Sequence, residues 1–175
     1  MLAIDVEADM WPFDRRPKIN IADFIEREAA KVFAPGYADS VRELLQQAGF
    51  PKAVEAELVA FRFWITLASA SLAKLPDNVQ RGLWHRVYEQ IERNHGRAQR
   101  ERFEATCVEY LRLMAKDMGR ATGAQFLPDT LTFALSRIVG ESNETVVALR
   151  MALIAFALGL MRSESDFFRN IRLIR

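Results

Sequence analysis

Two arginines set in apolar helical stretches are the residues whose placement points to chemistry. Arg62 lies within Phe61-Arg62-Phe63-Trp64 and shares a narrow polar stripe with Glu55, Thr66 and Ser69 at helical spacing. A long side chain can snorkel to water along such a stripe. Arg150 has less escape, because Val146, Val147, Ile154, Ala157 and Met161 share its stripe and are all apolar. A buried charge without a partner is strongly destabilising, so each arginine must be ion-paired, sit at an edge, or meet an acidic group from outside. The last possibility makes Arg62 and Arg150 candidate anchors for the acidic end of an apolar or amphipathic ligand held between helices.

The other constellations carry less. His85, Glu89 and Glu92 stand at i, i+4 and i+7, and Glu92-Arg93-Asn94-His95 spells Glu-x-x-His. Carboxylate-bridged metal sites use that spacing, but they need it twice plus two more inward carboxylates. The chain has only 2 His and the motif does not recur. The stripe also lies opposite Trp84, Val87 and Ile91, which is the pattern of a solvated face laced with Arg81, Arg86 and Arg93. The lone Cys107 falls on the stripe of Phe103, Leu111 and Met114, the ordinary place of a core cysteine. No phosphate-binding glycine loop, nucleophile elbow or cysteine pair is present. The reading leans away from an enzyme, names no catalytic residue, and expects neither a metal nor a cofactor.

Contact surfaces are easier to find. Ala148, Ala152, Ala155 and Gly159 follow i, i+4, i+7 and i+11, so one stripe of the last long helix is built of small residues. Such a stripe permits close backbone approach, either inside the chain's own fold or against a second copy in a homodimer. The C-terminus, 166–175, mixes Phe167, Phe168, Ile171 and Ile174 with Arg169, Arg172 and Arg175. It suits docking on the chain's own body, on a partner or on an acidic membrane surface.

The elements that position these residues are helical. Asn20 caps a first helix through Ile21, Phe24 and Ile25 to Val32-Phe33, which Pro35-Gly36 stops. A second begins near Asp39 or Ser40 and ends at Gly49-Phe50-Pro51. A third, about 53–75, is apolar round most of its circumference and belongs in the middle of the fold. A fourth opens at Pro76, with Asp77 or Asn78 as its cap, and is interrupted at Asn94-His95-Gly96; a fifth follows it. Residues 119–128 read as a loop, a sixth helix follows Pro128-Asp129, and a seventh spans about 142–162. Ile4, Val6, Ala8 and Met10 alternate with acidic residues in an N-terminal arm that closes on Trp11-Pro12-Phe13. No strand is expected elsewhere. The expectation is all-α: an extended arm, 1–19, and a single-domain antiparallel helical bundle of about six or seven helices, 20–175.

Composition bounds the function. The 175 residues are 50% hydrophobic, enough for one core, and 24 basic against 23 acidic residues leave a charge of +1. That balance points to neither a nucleic-acid protein nor a polyanion mimic. The longest apolar run, 151–161, is far short of the ~20 residues of a membrane span, so no transmembrane segment is expected. A single cysteine and an acidic N-terminus argue for the cytoplasm.

Residues 33–52, FAPGYADSVRELLQQAGFPK, resemble the DNA-binding segment of tetracycline-repressor-type regulators through Gly36-Tyr37, Val41, Leu44 and Ala48-Gly49. The resemblance implies an all-helical dimer with an apolar effector pocket and a recognition helix at Ala53-Val54-Glu55-Ala56-Glu57. Gly36 to Val41 is one residue short of the family spacing, and that recognition helix is acidic. Residues 1–50 hold six basic and nine acidic side chains, a net of −3, whereas phosphate contact requires basic groups. Residues 80–120, with nine basic against six acidic, read as dispersed solvated surface. The leading expectation is therefore a non-catalytic interaction module, dimerising or serving as an adaptor. A carrier or sensor of an apolar or amphipathic acidic small molecule comes second, and a DNA-binding regulator third.

Overall fold

Asn20 starts the first helix as its residue type predicts: its Oδ1 accepts a hydrogen bond from the Ala22 N–H at 2.8 Å. The computed structural model describes residues 16–47, 55–120, 128–139 and 146–175. The side chains of residues 55, 118–120, 128, 131, 135, 139 and 146–151 are not among those described. Within these bounds the chain is mostly helical. The order is β1 (Lys18–Asn20), α1 (Ile21–Val32), α2 (Pro35–Gln47), α3 (Glu55–Leu72), α4 (Asp77–His95), α5 (Arg97–Arg120), α6 (Pro128–Val139), α7 (Val146–Arg169) and β2 (Arg172–Ile174). No described helix is long and apolar enough to cross a membrane.

Helix α3 is the centre. It packs against each of the other six helices among the described residues, and every side chain from Ala60 to Ala70 is buried. Around it the larger core gathers Val41 and Leu45 of α2, Val87 and Ile91 of α4, Phe103 and Tyr110 of α5, Ile138 of α6, and Leu153 and Ala157 of α7. Aromatic stacking threads this core: Trp64 stacks on Phe61 and on Tyr110, each at 5.6 Å between ring centroids. A second, smaller core lies beside the β1–β2 pair. Phe24 packs there with Leu75, Val79, Leu83, Phe168 and Ile171.

Four expectations need correction. Arg172–Ile174 form a strand where none was expected: β2 pairs in parallel with β1, Lys18 opposite Arg172 and Asn20 opposite Ile174. The tail's basic residues alternate outward because Ile171 is buried and Leu173 half-buried against the second core. Helix α7 runs past Arg162 to Arg169 through the polar stretch Ser163-Glu164-Ser165-Asp166, because Glu164 and Ser165 face inward. Helix α2 begins at Pro35, a residue whose fixed φ and missing N–H suit a helix's first position. Helix α3 stops at Leu72, short of Leu75, because Lys74 turns left-handed (φ 56°). The Leu75 N–H then bonds the Ala70 carbonyl and the Lys74 N–H the Ser71 carbonyl, both at 3.0 Å. That is a Schellman end with lysine where glycine is usual, and Leu75 and Ala70 supply its apolar contact. The arm's residues 4–13 lie outside the described residues.

Candidate ligand cleft

Arg62, the arginine expected to snorkel along a polar stripe, is held inside the protein. Arg62 stays 5% exposed, so it does not reach water along its stripe. Its Nη2 donates to Glu164 Oε1, its Nη1 donates to Thr66 Oγ1 at 3.1 Å, and its guanidinium lies 5.5 Å from the Tyr37 ring centroid. The pair explains the extension of α7, since Glu164 is itself 8% exposed and would otherwise be a stranded anion. Ser69, on the same stripe, returns its hydroxyl to the Ile65 carbonyl at 2.8 Å. Arg150 lies in α7 and its side chain is outside those described, as is that of Ala148. On the small-residue stripe, Ala152 is half-buried while Ala155 and Gly159 are exposed. A Cβ added at Gly159 would meet nothing within 4 Å among the described residues. Among the described residues nothing covers Ala155 and Gly159.

The His85 stripe is dispersed. His85 and Glu89 are exposed, Glu89 pairs with Arg86, and Glu92 pairs with Arg100 at 2.6 Å. Among the described residues, no three His, Cys, Asp or Glu side chains gather as a metal site would. Cys107 is buried, and desolvation, then Glu57 and Glu104, push its thiol well above the ordinary range. Of the segment corresponding to a recognition helix, Glu55, Ala56 and Glu57 belong to α3, whose described side chains from Ala56 to Ala70 are all buried or half-buried. A helix that reads bases needs an exposed face.

A concave feature of the described surface lies elsewhere, between the N-terminal part of α3 and α5. Ala56 and Ala60 on α3 and Ala105 on α5 are too short to fill the space between the two helices. One lobe, about 430 Å³, lies against Phe33, Val59, Ile91 and Phe103, with His95 and Gln99 as its polar residues. A second lobe, about 530 Å³, shares Ala56, Gln99 and Phe103 with the first and carries Glu57, Arg102, Thr106, Glu109 and Arg137. Each is of the size that small-molecule sites occupy.

The charges of the second lobe are unevenly matched. Arg137 donates to Glu57 Oε1 at 2.5 Å and reaches Thr106 Oγ1 at 3.5 Å. Glu109 accepts from Arg112 Nε at 2.7 Å, and that hydrogen bond holds its carboxyl below the usual range. Arg102 is exposed and makes no ion pair among the described residues. Glu57 is 9% exposed, and its Oε2 is buried without a donor among the described residues. Behind the lobe Tyr110 is fully buried, with its hydroxyl also unpartnered; burial drives its phenol far above the ordinary value. Among the described residues that line it, no nucleophile stands beside a base.

Sequence reasoning did not find this cleft. Arg102 was absorbed into a basic region that reads as surface, and Glu57 and Arg137 are eighty positions apart. The signal available was the alanine spacing, Ala56 and Ala60 opposite Ala105, which gains meaning only once α3 and α5 are known to face each other. Comparison with models of protein families, with characterised proteins and with solved structures finds no match to this chain.

Proposed function

We propose that this protein is a non-catalytic binding protein, an antiparallel helical bundle that carries or senses an amphipathic small molecule in the α3–α5 cleft. The observation that carries the reading is the joining of an apolar lobe to a polar one across Ala56, Gln99 and Phe103. A pocket with an apolar wall and a few convergent polar groups is the ordinary form of a small-molecule site. Arg62 is not the anchor in this reading, since its guanidinium is already engaged by Glu164 and Thr66.

Native mass spectrometry on the protein purified from cells tests it. A reproducible non-covalent adduct of one small molecule per chain, removed by Val59→Trp, is the expected result. An adduct-free protein that also fails to take up any added amphiphile would overturn the reading.

The interaction module is the second reading, and the open face of α7 favours it. Ala155 and Gly159 are exposed side by side with room for a close neighbour. The occupant would be a second copy presenting the same stripe about a two-fold axis. Ala155→Leu should then convert a dimer to a folded monomer, which the chain number in the same spectrum reads directly. A monomer before the substitution would overturn it.

A further inference from the structure

We propose that the outward face of the β1–β2 pair docks on an anionic lipid surface, with Lys18 and Arg172 as its central cations and Ile174 set among the headgroups. This face lies at the opposite end of α3 from the α3–α5 cleft, and the carrier reading neither requires nor excludes it.

The strand register places the charges. Lys18 lies opposite Arg172 and Asn20 opposite Ile174, and residues paired in this way point to the same side of the sheet. The alternate residues, Ile19 and Leu173, turn the other way onto the second core. The outward side therefore carries Lys18, Arg172 and Ile174, all exposed, the isoleucine by 40%. Like charges directly opposite each other weaken a strand pair. Neither cation has an ion pair among the described residues to offset that repulsion.

The surroundings extend the charge. Arg169 Nη2 donates to the Leu72 carbonyl at 3.1 Å, which brings the end of α7 against the turn that carries Lys74. Lys74 and Arg175 are exposed cations, again without an ion pair among the described residues. On the acidic side, Asp166 is held by Arg169 at 3.4 Å. Asp23 and Asp77 stand in the first turns of α1 and α4, where the helix dipole already favours an anion. Three large apolar side chains are exposed among the described residues, and two of them, Phe167 and Ile174, lie at this end. Arg27 and Lys31 lie over the Phe167 ring, at 5.1 and 5.3 Å from its centroid.

Cations mixed with exposed apolar side chains are the composition of a peripheral membrane face. A second copy does not fit, because it would bring the same charges against themselves. The unpaired cations come from separate segments of the chain, which suits a fluid array of headgroups better than one acidic polypeptide. A bilayer also takes up Ile174 and Phe167.

Co-sedimentation of the full chain with phosphatidylcholine vesicles, with and without about one third phosphatidylserine, is the test. Binding to the anionic vesicles alone, falling steeply as salt is raised, is the expected result. Arg172→Glu is the deciding variant. It sets opposite charges across the strand pair, so the free protein should melt no lower than the parent. Its vesicle binding should nevertheless fall by roughly twenty-fivefold, since each unit of charge near the surface is worth about fivefold and the reversal changes two. Lys18→Gln should weaken binding about fivefold. Arg93→Gln removes an exposed cation at the far end of α4 and should leave binding unchanged.

Equal binding to neutral and anionic vesicles, or binding to neither, would overturn the proposal. Anionic binding that survives Arg172→Glu, or that falls as much with Arg93→Gln, would remove it from this face. Binding of polyglutamate without binding of vesicles would replace the lipid with an acidic protein partner. None of these results bears on the carrier reading, which stands or falls on the small-molecule adduct.

Discussion

Separating Arg62 from Glu164 should unfold this protein more readily than almost any other single change, and losing both should hurt less than losing either. The two side chains are 6% and 9% exposed, so neither can recover its hydration when the other is removed. Arg62→Met leaves Glu164 buried with neither oxygen bonded, since its Oε2 already has no donor. Glu164→Leu leaves a guanidinium with only Thr66 and the face of Tyr37. Removing one partner of a buried pair costs about 3–5 kcal/mol. In a chain of this size each kcal/mol is worth about 2–4 °C, so each single variant should melt roughly 6–20 °C below the parent. Arg62→Met with Glu164→Leu replaces both charges by apolar groups of similar bulk and should return to within about 1 kcal/mol of the parent. Urea unfolding followed by tryptophan fluorescence is the assay, because Trp64 is buried two positions from Arg62. Single variants that each cost less than about 1 kcal/mol, the scale of a surface pair, would refute the reasoning. So would a double variant less stable than both singles. A single variant that stays folded but stops binding its ligand would restore Arg62 as the anchor.

Three further outcomes follow from the same geometry. Lys74→Gly should raise stability by about 1 kcal/mol, because the left-handed position strains lysine and not glycine; a loss of stability in thermal unfolding would contradict that. Asp117 is 2% exposed and caps α6 from α5, accepting from the Thr130 N–H at 2.9 Å and the Thr130 hydroxyl at 2.8 Å. Asp117→Ala should cost about 1–3 kcal/mol by stranding those donors, and a change under half a kcal/mol in the same assay would show the cap to be dispensable. The Cys107 thiol, buried and shifted upward, should resist a disulfide reagent at pH 8 in the native protein and react stoichiometrically in denaturant; fast native labelling would mean the core there opens readily.

Local signals placed the helices well and their ends less well. Asn20 and the Asn94-His95-Gly96 break are chemical markers that act within a turn, and the structure follows them. Helix α3 was legible as central because its apolar residues surround the axis. The ends of α3 and α7 were not legible, because each is decided by residues far along the chain. Lys74 takes a glycine's conformation only where Leu75 can drop onto the second core beside Ala70. Glu164 continues α7 only because Arg62, 102 positions earlier, waits for it. The cap of α6 is hidden the same way, since a cap is sought just before its helix and this one comes from another helix.

The same distinction separates the two arginines that matter. Arg62 stands out in the sequence because its neighbours are apolar, and burial is what made it conspicuous. A charge that conspicuous needs a partner from its own chain if the protein is to fold before any ligand arrives, so its function is used up in folding. Arg102 does not stand out, because a basic residue on an exposed helix is unremarkable. Its charge costs nothing in the free protein, where water covers it, and so remains available to a guest. An arginine whose charge is still free is therefore better sought at the surface, where Arg102 is exposed, than among the phenylalanines of the core.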